Sequence, residues 1–153
     1  MIYYIIALLM GVAIALQAPI NSALGRSLQG SPLIAALISF TIGTILLAII
    51  AYFNANLNIN VFKALVHQSW WKFLGGILGA FFVFGTILLA PKIGLINMFL
   101  IILFGQLLMS VGLDHFGAFE LNKRAISWEK ILGLGIVFVG LLVFFSKELL
   151  KKA

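Results

Sequence analysis

The chain has 153 residues, of which 63% are hydrophobic and 9% are charged, and it carries a net charge of +6. Soluble domains are about 45–50% apolar and about 25% charged, so this composition excludes a soluble globular protein and indicates that a lipid bilayer surrounds the chain. The lack of cysteine excludes disulfides and thiolate metal sites, and His67 and His115 are too far apart in the sequence to form a metal motif, so we expect no cofactor. The basic residues are scattered among loops and helix ends, as membrane-flanking lysines are, so we expect no nucleic-acid partner.

Five apolar segments are long enough to cross a membrane. A helix needs about 20 apolar residues to span a hydrocarbon core of about 30 Å, and residues 2–24, 33–53, 71–90, 93–116 and 128–146 meet this condition approximately. We therefore expect an all-α integral membrane protein, with residues 1–153 forming a single five-span transmembrane domain. The first segment lacks a preceding positive stretch and a clear cleavage site, so we expect it to remain as a span and not to be a removed signal peptide.

The first span carries a polar patch. Gln17 and Asn21 are four residues apart and therefore share one helix face. Pro19 lies between them and removes one backbone donor, which leaves a carbonyl without its usual partner. This patch favours a site that binds or gates a solute. The alternative is that the two amides only bridge neighbouring helices, where such bonds are worth about 0.6–2 kcal/mol each.

Turn signals separate the spans. Gly30-Ser31-Pro32 predicts a break in which Ser31 and Pro32 start the second span, and Pro91-Lys92-Ile93-Gly94 predicts a tight break between the third and fourth spans. The longest connection, residues 54–69, contains Val61–His67, which favours a short amphipathic helix at the membrane interface. Three tryptophans stand at predicted membrane boundaries, as indoles do at the headgroup level: Trp70, Trp71 and Trp128.

The third and fifth spans are rich in glycine. Gly75 and Gly79 lie on one face of the third span, and Gly133 and Gly140 lie in the fifth. Small residues let another helix approach closely. These glycines therefore favour helix packing, either inside one protomer or between two subunits.

The fourth span carries a stripe of Gln106, Ser110 and Asp114 at a spacing of four. A carboxylate at the centre of a membrane helix costs roughly 2.5–3.5 kcal/mol on insertion scales. One interpretation is structural: Asp114 and the neighbouring His115 lie near the span's end, where Asp114 pairs with a basic residue of the following loop, namely Lys123, Arg124 or Lys130. The other interpretation is a proton or cation site at Asp114 and His115. We expect the first and fourth spans to line a polar path through the membrane.

The positive charges are balanced across the membrane. With five spans, the side of the N-terminus (side A) has Lys63, Lys72, Lys123, Arg124 and Lys130. The opposite side (side B) has Arg26, Lys92, Lys147, Lys151 and Lys152. An excess of Lys and Arg normally faces the cytoplasm, and five against five gives no excess. This balance favours dual topology, in which oppositely inserted copies pair antiparallel. The alternative is that Arg26, the charge nearest the first helix, places side B in the cytoplasm.

Three motifs together resemble a known family. The first is formed by Gly11, Gln17, Asn21 and Leu24. The second runs from Trp71 through Gly75, Gly76, Gly79 and Ala80 to Pro91-Lys92-Ile93-Gly94. The third is formed by Gly105, Gln106, Ser110 and Asp114-His115-Phe116-Gly117. In order and spacing the chain resembles the YdcZ family of bacterial inner-membrane exporters, within the drug/metabolite transporter superfamily.

The resemblance implies a half-size, five-span protein that exports small molecules. Members occur singly, in pairs or fused, and single members insert in both orientations, which agrees with the charge balance. Small multidrug transporters carry an acid in their first helix. This chain has Gln17 and Asn21 in that region, so the proton or cation antiport of the small multidrug transporters is not carried over to it.

We therefore predict a multi-pass transporter of the bacterial inner membrane that moves a small organic solute or drug-like metabolite by alternating access. It would work as an antiparallel homodimer of ten helices, or with a paired sister chain. Two other functions stay open: a scaffold or accessory subunit without transport, and a dual-topology ion channel. An enzyme is not expected, because the aspartyl-protease-like Gly112-Leu113-Asp114 would need a second membrane aspartate, which the spans lack.

Overall fold

The computed structural model describes residues 1–55 and 57–150, excluding the side chains of 148–150. In this part of the chain six α-helices and no strands occur, and five of the helices are long and apolar enough to cross a membrane. The prediction of an all-α membrane protein with five long apolar helices is therefore confirmed. The helices are α1 (Ile2–Ser27), α2 (Pro32–Asn54), α3 (Ile59–Leu65), α4 (Leu74–Ile93), α5 (Leu95–Phe116) and α6 (Trp128–Leu150). A 3₁₀ turn covers Trp70–Phe73, and Ala118–Glu120 form a turn in which Phe119 and Glu120 have positive φ.

The turn between α1 and α2 follows its local sequence. Gln29 and Gly30 both adopt positive φ, at 57° and 77°, and thereby reverse the chain after α1. The side chain of Ser31 then accepts a hydrogen bond from the Ile34 amide at 3.3 Å, and Pro32 occupies the start of α2, where its missing donor costs nothing. The predicted start of the second span at Ser31-Pro32 is confirmed.

The end of α4 lies within the predicted break Pro91-Lys92-Ile93-Gly94. Pro91 is part of α4, which continues to Ile93 and is followed by Gly94 with φ 81°. Proline removes one backbone donor but can remain in a membrane helix when its surroundings compensate. Gly94 reaches a backbone conformation that other residues rarely adopt. The fourth span, predicted over about residues 93–116, corresponds to α5, which begins at Leu95 because Ile93 still belongs to α4.

The connection between α2 and α4 contains the short helix α3. Its N-terminus is capped by Asn58, whose side-chain oxygen accepts hydrogen bonds from the amides of Asn60 and Val61 at 2.9 and 3.4 Å. This cap starts the helix two residues before the predicted Val61, and α3 ends at Leu65. Its interfacial position stays a prediction.

The chain divides into two compact units, Met1–Leu95 and Ile96–Ala153; a single domain over residues 1–153 stays a prediction. In the first unit α1, α2 and α4 each pack against the other two. Ala35, Ala36, Val83 and Ile87 form the buried cluster of this unit. Gly25 of α1 is also buried. The small residues Gly25, Ala35 and Ala36 let α1 and α2 approach closely.

In the second unit, aromatic rings join α5 to α6. The rings of Phe104 and Phe138 stack with a centroid distance of 5.6 Å. The loop after α5 folds back on that helix, because the backbone amide of Arg124 donates to the backbone carbonyl of Asp114 at 2.8 Å. This bond fixes the loop at the end of α5.

Gly25→Leu is expected to destabilise the first unit by about 1–3 kcal/mol, the usual cost of overpacking. A Cβ at Gly25 would already lie 3.4 Å from the Ala35 Cβ and 3.5 Å from the Ser31 carbonyl oxygen, so a larger side chain would force α1 away from α2. The matched control is Gly11→Leu, because a Cβ at Gly11 would meet nothing within 4 Å. The free energy of unfolding by SDS titration measures the difference, and equal values for both variants would contradict this packing.

Candidate functional site

The polar residues of α1 lie in two different environments. Asn21 and Ser22 are buried, with 5% and 6% of their surface exposed, on the side of α1 that also buries Ala18 and Gly25. Gln17 is exposed, although it is four residues from Asn21. The first span therefore holds one amide inside the three-helix packing and one outside it.

Asn21 has a donor without a partner. Its side-chain nitrogen Nδ2 is buried and has no hydrogen-bond partner among the described residues. A buried unpaired donor costs about 1–3 kcal/mol, and native proteins keep few of them. The Asn21 amide therefore keeps one unfilled hydrogen-bond donor inside the three-helix packing.

Gln17 lines a cavity of about 180 Å³ between α1 and α2. The other lining residues all belong to α2: Ser39, Phe40, Gly43, Thr44 and Leu47. A water molecule occupies about 30 Å³ in the liquid, so the cavity has room for several waters or a small organic group. One amide and two hydroxyls thus face an otherwise apolar hollow.

The hydroxyls of this cavity differ from those of Thr41 and Thr86. Thr41 and Thr86 donate to carbonyls of their own helices, Leu37 and Val83, both at 2.8 Å. In the described part of the chain Ser39 and Thr44 make no such bond. Because a hydroxyl in an apolar medium needs a partner, these two groups are available to whatever fills the cavity.

A second cavity of about 180 Å³ lies where α1 and α4 end. Its polar residues are Ser22 and Arg26, and the Arg26 guanidinium donates through Nη1 to the Ser22 hydroxyl at 3.2 Å. The remaining lining residues are Pro19, Ala90, Pro91 and Leu95. This pair is not among the site residues predicted from the sequence. The four-residue spacing of Ser22 and Arg26 was the available signal.

The predicted polar residues of α5 lie along that helix with different exposure. Gln106 and Ser110 are exposed, whereas Asp114 and His115 are half-buried. The Nδ1 atom of His115 is buried without a hydrogen-bond partner among the described residues. The predicted polar path between the first and fourth spans stays a prediction.

The loop after α5 meets Asp114 through the backbone. The amide of Arg124 bonds to the carbonyl of Asp114, and no salt bridge of the Asp114 carboxylate occurs within the described residues. The contact with the basic loop therefore holds the main chain and leaves the carboxylate without a basic partner there. Over the same residues, no three His, Asp or Glu side chains converge to hold a metal ion.

The four predicted packing glycines have different surroundings. A Cβ at Gly79 would lie 3.6 Å from the Phe40 ring, so this glycine lets α4 approach α2. A Cβ at Gly75, Gly133 or Gly140 would meet nothing within 4 Å. A role for these three in packing against a second copy stays a prediction.

Comparison with known proteins places the chain in a family. Residues 2–143 match the model of the family described as "Putative inner membrane exporter, YdcZ". No curated protein and no solved structure matches the chain. The family match and the five long apolar helices identify a multi-pass protein of the inner membrane and point to a transporter, not an enzyme. Because the match covers most of the sequence and reaches into every long helix, the chain belongs to the YdcZ family of inner-membrane exporters.

Proposed function

We propose that this protein is a half-size secondary exporter of a small organic solute or drug-like metabolite, which works by alternating access as an antiparallel dimer. The observation that carries the proposal is the unpaired, buried amide of Asn21, one helical turn from the Gln17 cavity. An exporter needs polar groups inside the membrane whose hydrogen bonds are completed by the solute, and these residues provide them.

The surface of the protomer supports pairing. In each of the five spans only 6–22% of the most apolar window is buried, so most of each span is available to lipid or to another copy. The Gln17 cavity opens to that surface, with hydroxyls that lipid tails cannot satisfy. Many transporters place the substrate at the midplane between inverted repeats. A second, oppositely inserted copy would supply the missing repeat.

The charge distribution supports opposite insertion of the two copies. Sides A and B carry five Lys or Arg each. Lys151 and Lys152 of side B lie outside the described residues. Without an excess on either side, the rule that places positive charge in the cytoplasm favours neither orientation. The same chain can then supply both halves, although a sister chain in the opposite orientation would also complete the pair.

Coupling to a proton or cation gradient is assigned to α5 within the same proposal. Asp114 is half-buried and has no basic partner in the described part of the chain, and His115 next to it keeps an unpaired Nδ1. Intramembrane ionisable groups of this kind are typical of proton relays. Gln106 and Ser110, on the same face, would contribute to binding or gating.

Gln17→Ala is expected to lower the initial export rate by roughly three- to tenfold, because one hydrogen bond to the solute is lost. Mass spectrometry of the medium identifies the solutes that accumulate only when the chain is expressed, and their rate of accumulation measures export. Gln68→Ala is the matched control, since Gln68 is an exposed amide outside the spans.

Three outcomes would contradict the proposal. Equal export by wild type and Gln17→Ala would exclude this cavity as the site. A complete lack of chain-dependent solutes would favour a scaffold or accessory subunit. Flux that rises linearly with solute concentration without saturation would favour a channel.

A further inference from the structure

All charged residues of the first unit are basic. Residues 1–95 contain Arg26, Lys63, Lys72 and Lys92, whereas Asp and Glu do not occur before residue 114. The Arg26 guanidinium, which lines the cavity at the ends of α1 and α4, therefore has no carboxylate in its own unit. An arginine beside a cavity without a counter-ion favours an anionic ligand.

The Arg26 side chain is exposed, and one hydrogen bond ties its guanidinium to a buried residue. Its Nη1 donates to the hydroxyl of Ser22, and Ser22 is only 6% exposed. Guanidinium has five N–H donors in a planar fork, so this single bond leaves the others free to bind a planar or tetrahedral anion. A fork that is already oriented loses less side-chain freedom when a ligand binds.

The walls of the cavity define what such a ligand looks like. Pro19 and Pro91 have no backbone donor, and Ala90 and Leu95 are apolar. The cavity volume of about 180 Å³ fits a small group. One cationic side with apolar walls matches an anion attached to a small apolar body.

We propose that the Arg26–Ser22 cavity binds the carboxylate or phosphate group of a small amphiphilic molecule. Such a site implies that the exported solutes are organic anions, and this identification of the solutes rests on the proposed function. Anionic lipid headgroups present the same chemistry. They are a second source of the anion, because Arg26 lies in the last turn of α1, where the span ends. Binding itself does not depend on transport.

The test measures binding of benzoate, and of benzamide as its uncharged analogue, to the full-length protein in nanodiscs of phosphatidylcholine. Nanodiscs expose both faces, so the orientation of the protein does not affect the result. We expect benzoate to bind more tightly than benzamide, and Arg26→Gln to weaken benzoate binding at least about tenfold. Lys63→Gln, which removes one charge from the exposed helix α3, should leave it unchanged.

Arg26→Lys and Ser22→Ala keep the test decisive if Arg26→Gln fails to fold. Lysine keeps the charge but lacks the planar set of N–H donors, and alanine at position 22 removes the hydroxyl that orients the guanidinium. Each variant should therefore weaken benzoate binding by a smaller factor than Arg26→Gln. Equal affinity for benzoate and benzamide, or unchanged benzoate binding in all folded Arg26 and Ser22 variants, would overturn the proposal.

A second set of nanodiscs that contain phosphatidylglycerol identifies the source of the anion. Weaker benzoate binding in wild type, with less phosphatidylglycerol retained by Arg26→Gln in native mass spectrometry, would assign the cavity to a lipid headgroup. Unchanged benzoate binding would assign it to a free solute. Selective benzoate binding by a protein that exports nothing would refute the proposed function and support the anion site. Export of uncharged solutes without benzoate binding would support the proposed function and refute the anion site.

Discussion

Asn21→Leu is expected to raise the free energy of unfolding by about 1 kcal/mol and to lower export at least about fivefold. The two effects have one cause. The Nδ2 atom of Asn21 is buried without a partner, so its removal relieves a desolvation cost in the empty protein. Leucine has the same branching as asparagine. The solute, however, loses the group that would complete its hydrogen bonds, and a polar atom of the bound solute is left unpaired.

The measurement combines unfolding by SDS titration with the export assay. Thr86→Val is the matched control, because Thr86 is equally buried at 5% exposure and its hydroxyl is already bonded to Val83. This variant should export normally. Loss of folded protein in Asn21→Leu would show that Asn21 supports the fold through a bond to water or lipid, and normal export with raised stability would remove Asn21 from the site.

The long helices could be predicted from the sequence because each depends on local properties. Length and apolar content determine which segments cross a membrane. The start of α2 depends on Ser31 and Pro32 alone, whose cap and fixed φ act within one turn. The helix α3 starts two residues before the predicted Val61, because the side chain of Asn58 caps its N-terminus.

The environment of each polar residue could not be predicted in the same way. The spacing of Gln17 and Asn21 places them on one face of α1, but only the packing of α2 and α4 buries one and leaves the other at a cavity. The Ser22–Arg26 pair needs the ends of both α1 and α4 to form its cavity. These features depend on contacts between helices that are far apart in the sequence, and hydropathy does not report them.

Two variants with opposite charge bias are expected to be inactive alone and active together. Lys92→Ala with Lys147→Ala leaves three positive charges on side B against five on side A, so side A should face the cytoplasm. Lys63→Ala with Lys123→Ala gives the reverse bias. All four side chains are exposed and lie outside the two cavities. Stability should therefore not change.

Reporter fusions at the C-terminus measure orientation, with alkaline phosphatase active outside and a fluorescent protein active in the cytoplasm. Wild type should show both signals, and each biased variant should show one. Lys92→Arg with Lys147→Arg is the control, since it keeps the charge balance and should keep both signals. A single orientation of wild type would end the proposal of dual topology.

Co-expression then separates an antiparallel dimer from every arrangement in which the copies point the same way. If oppositely inserted copies form the transport path, neither biased variant can build it alone, and export should return to near the wild-type rate when both are present. A monomer or a parallel dimer would instead let at least one variant export by itself. A restored export rate that falls when one partner also carries Gln17→Ala would place the polar cavity of that copy in the shared path. Full export despite that change would leave opposite insertion in place and remove the Gln17 cavity from the path.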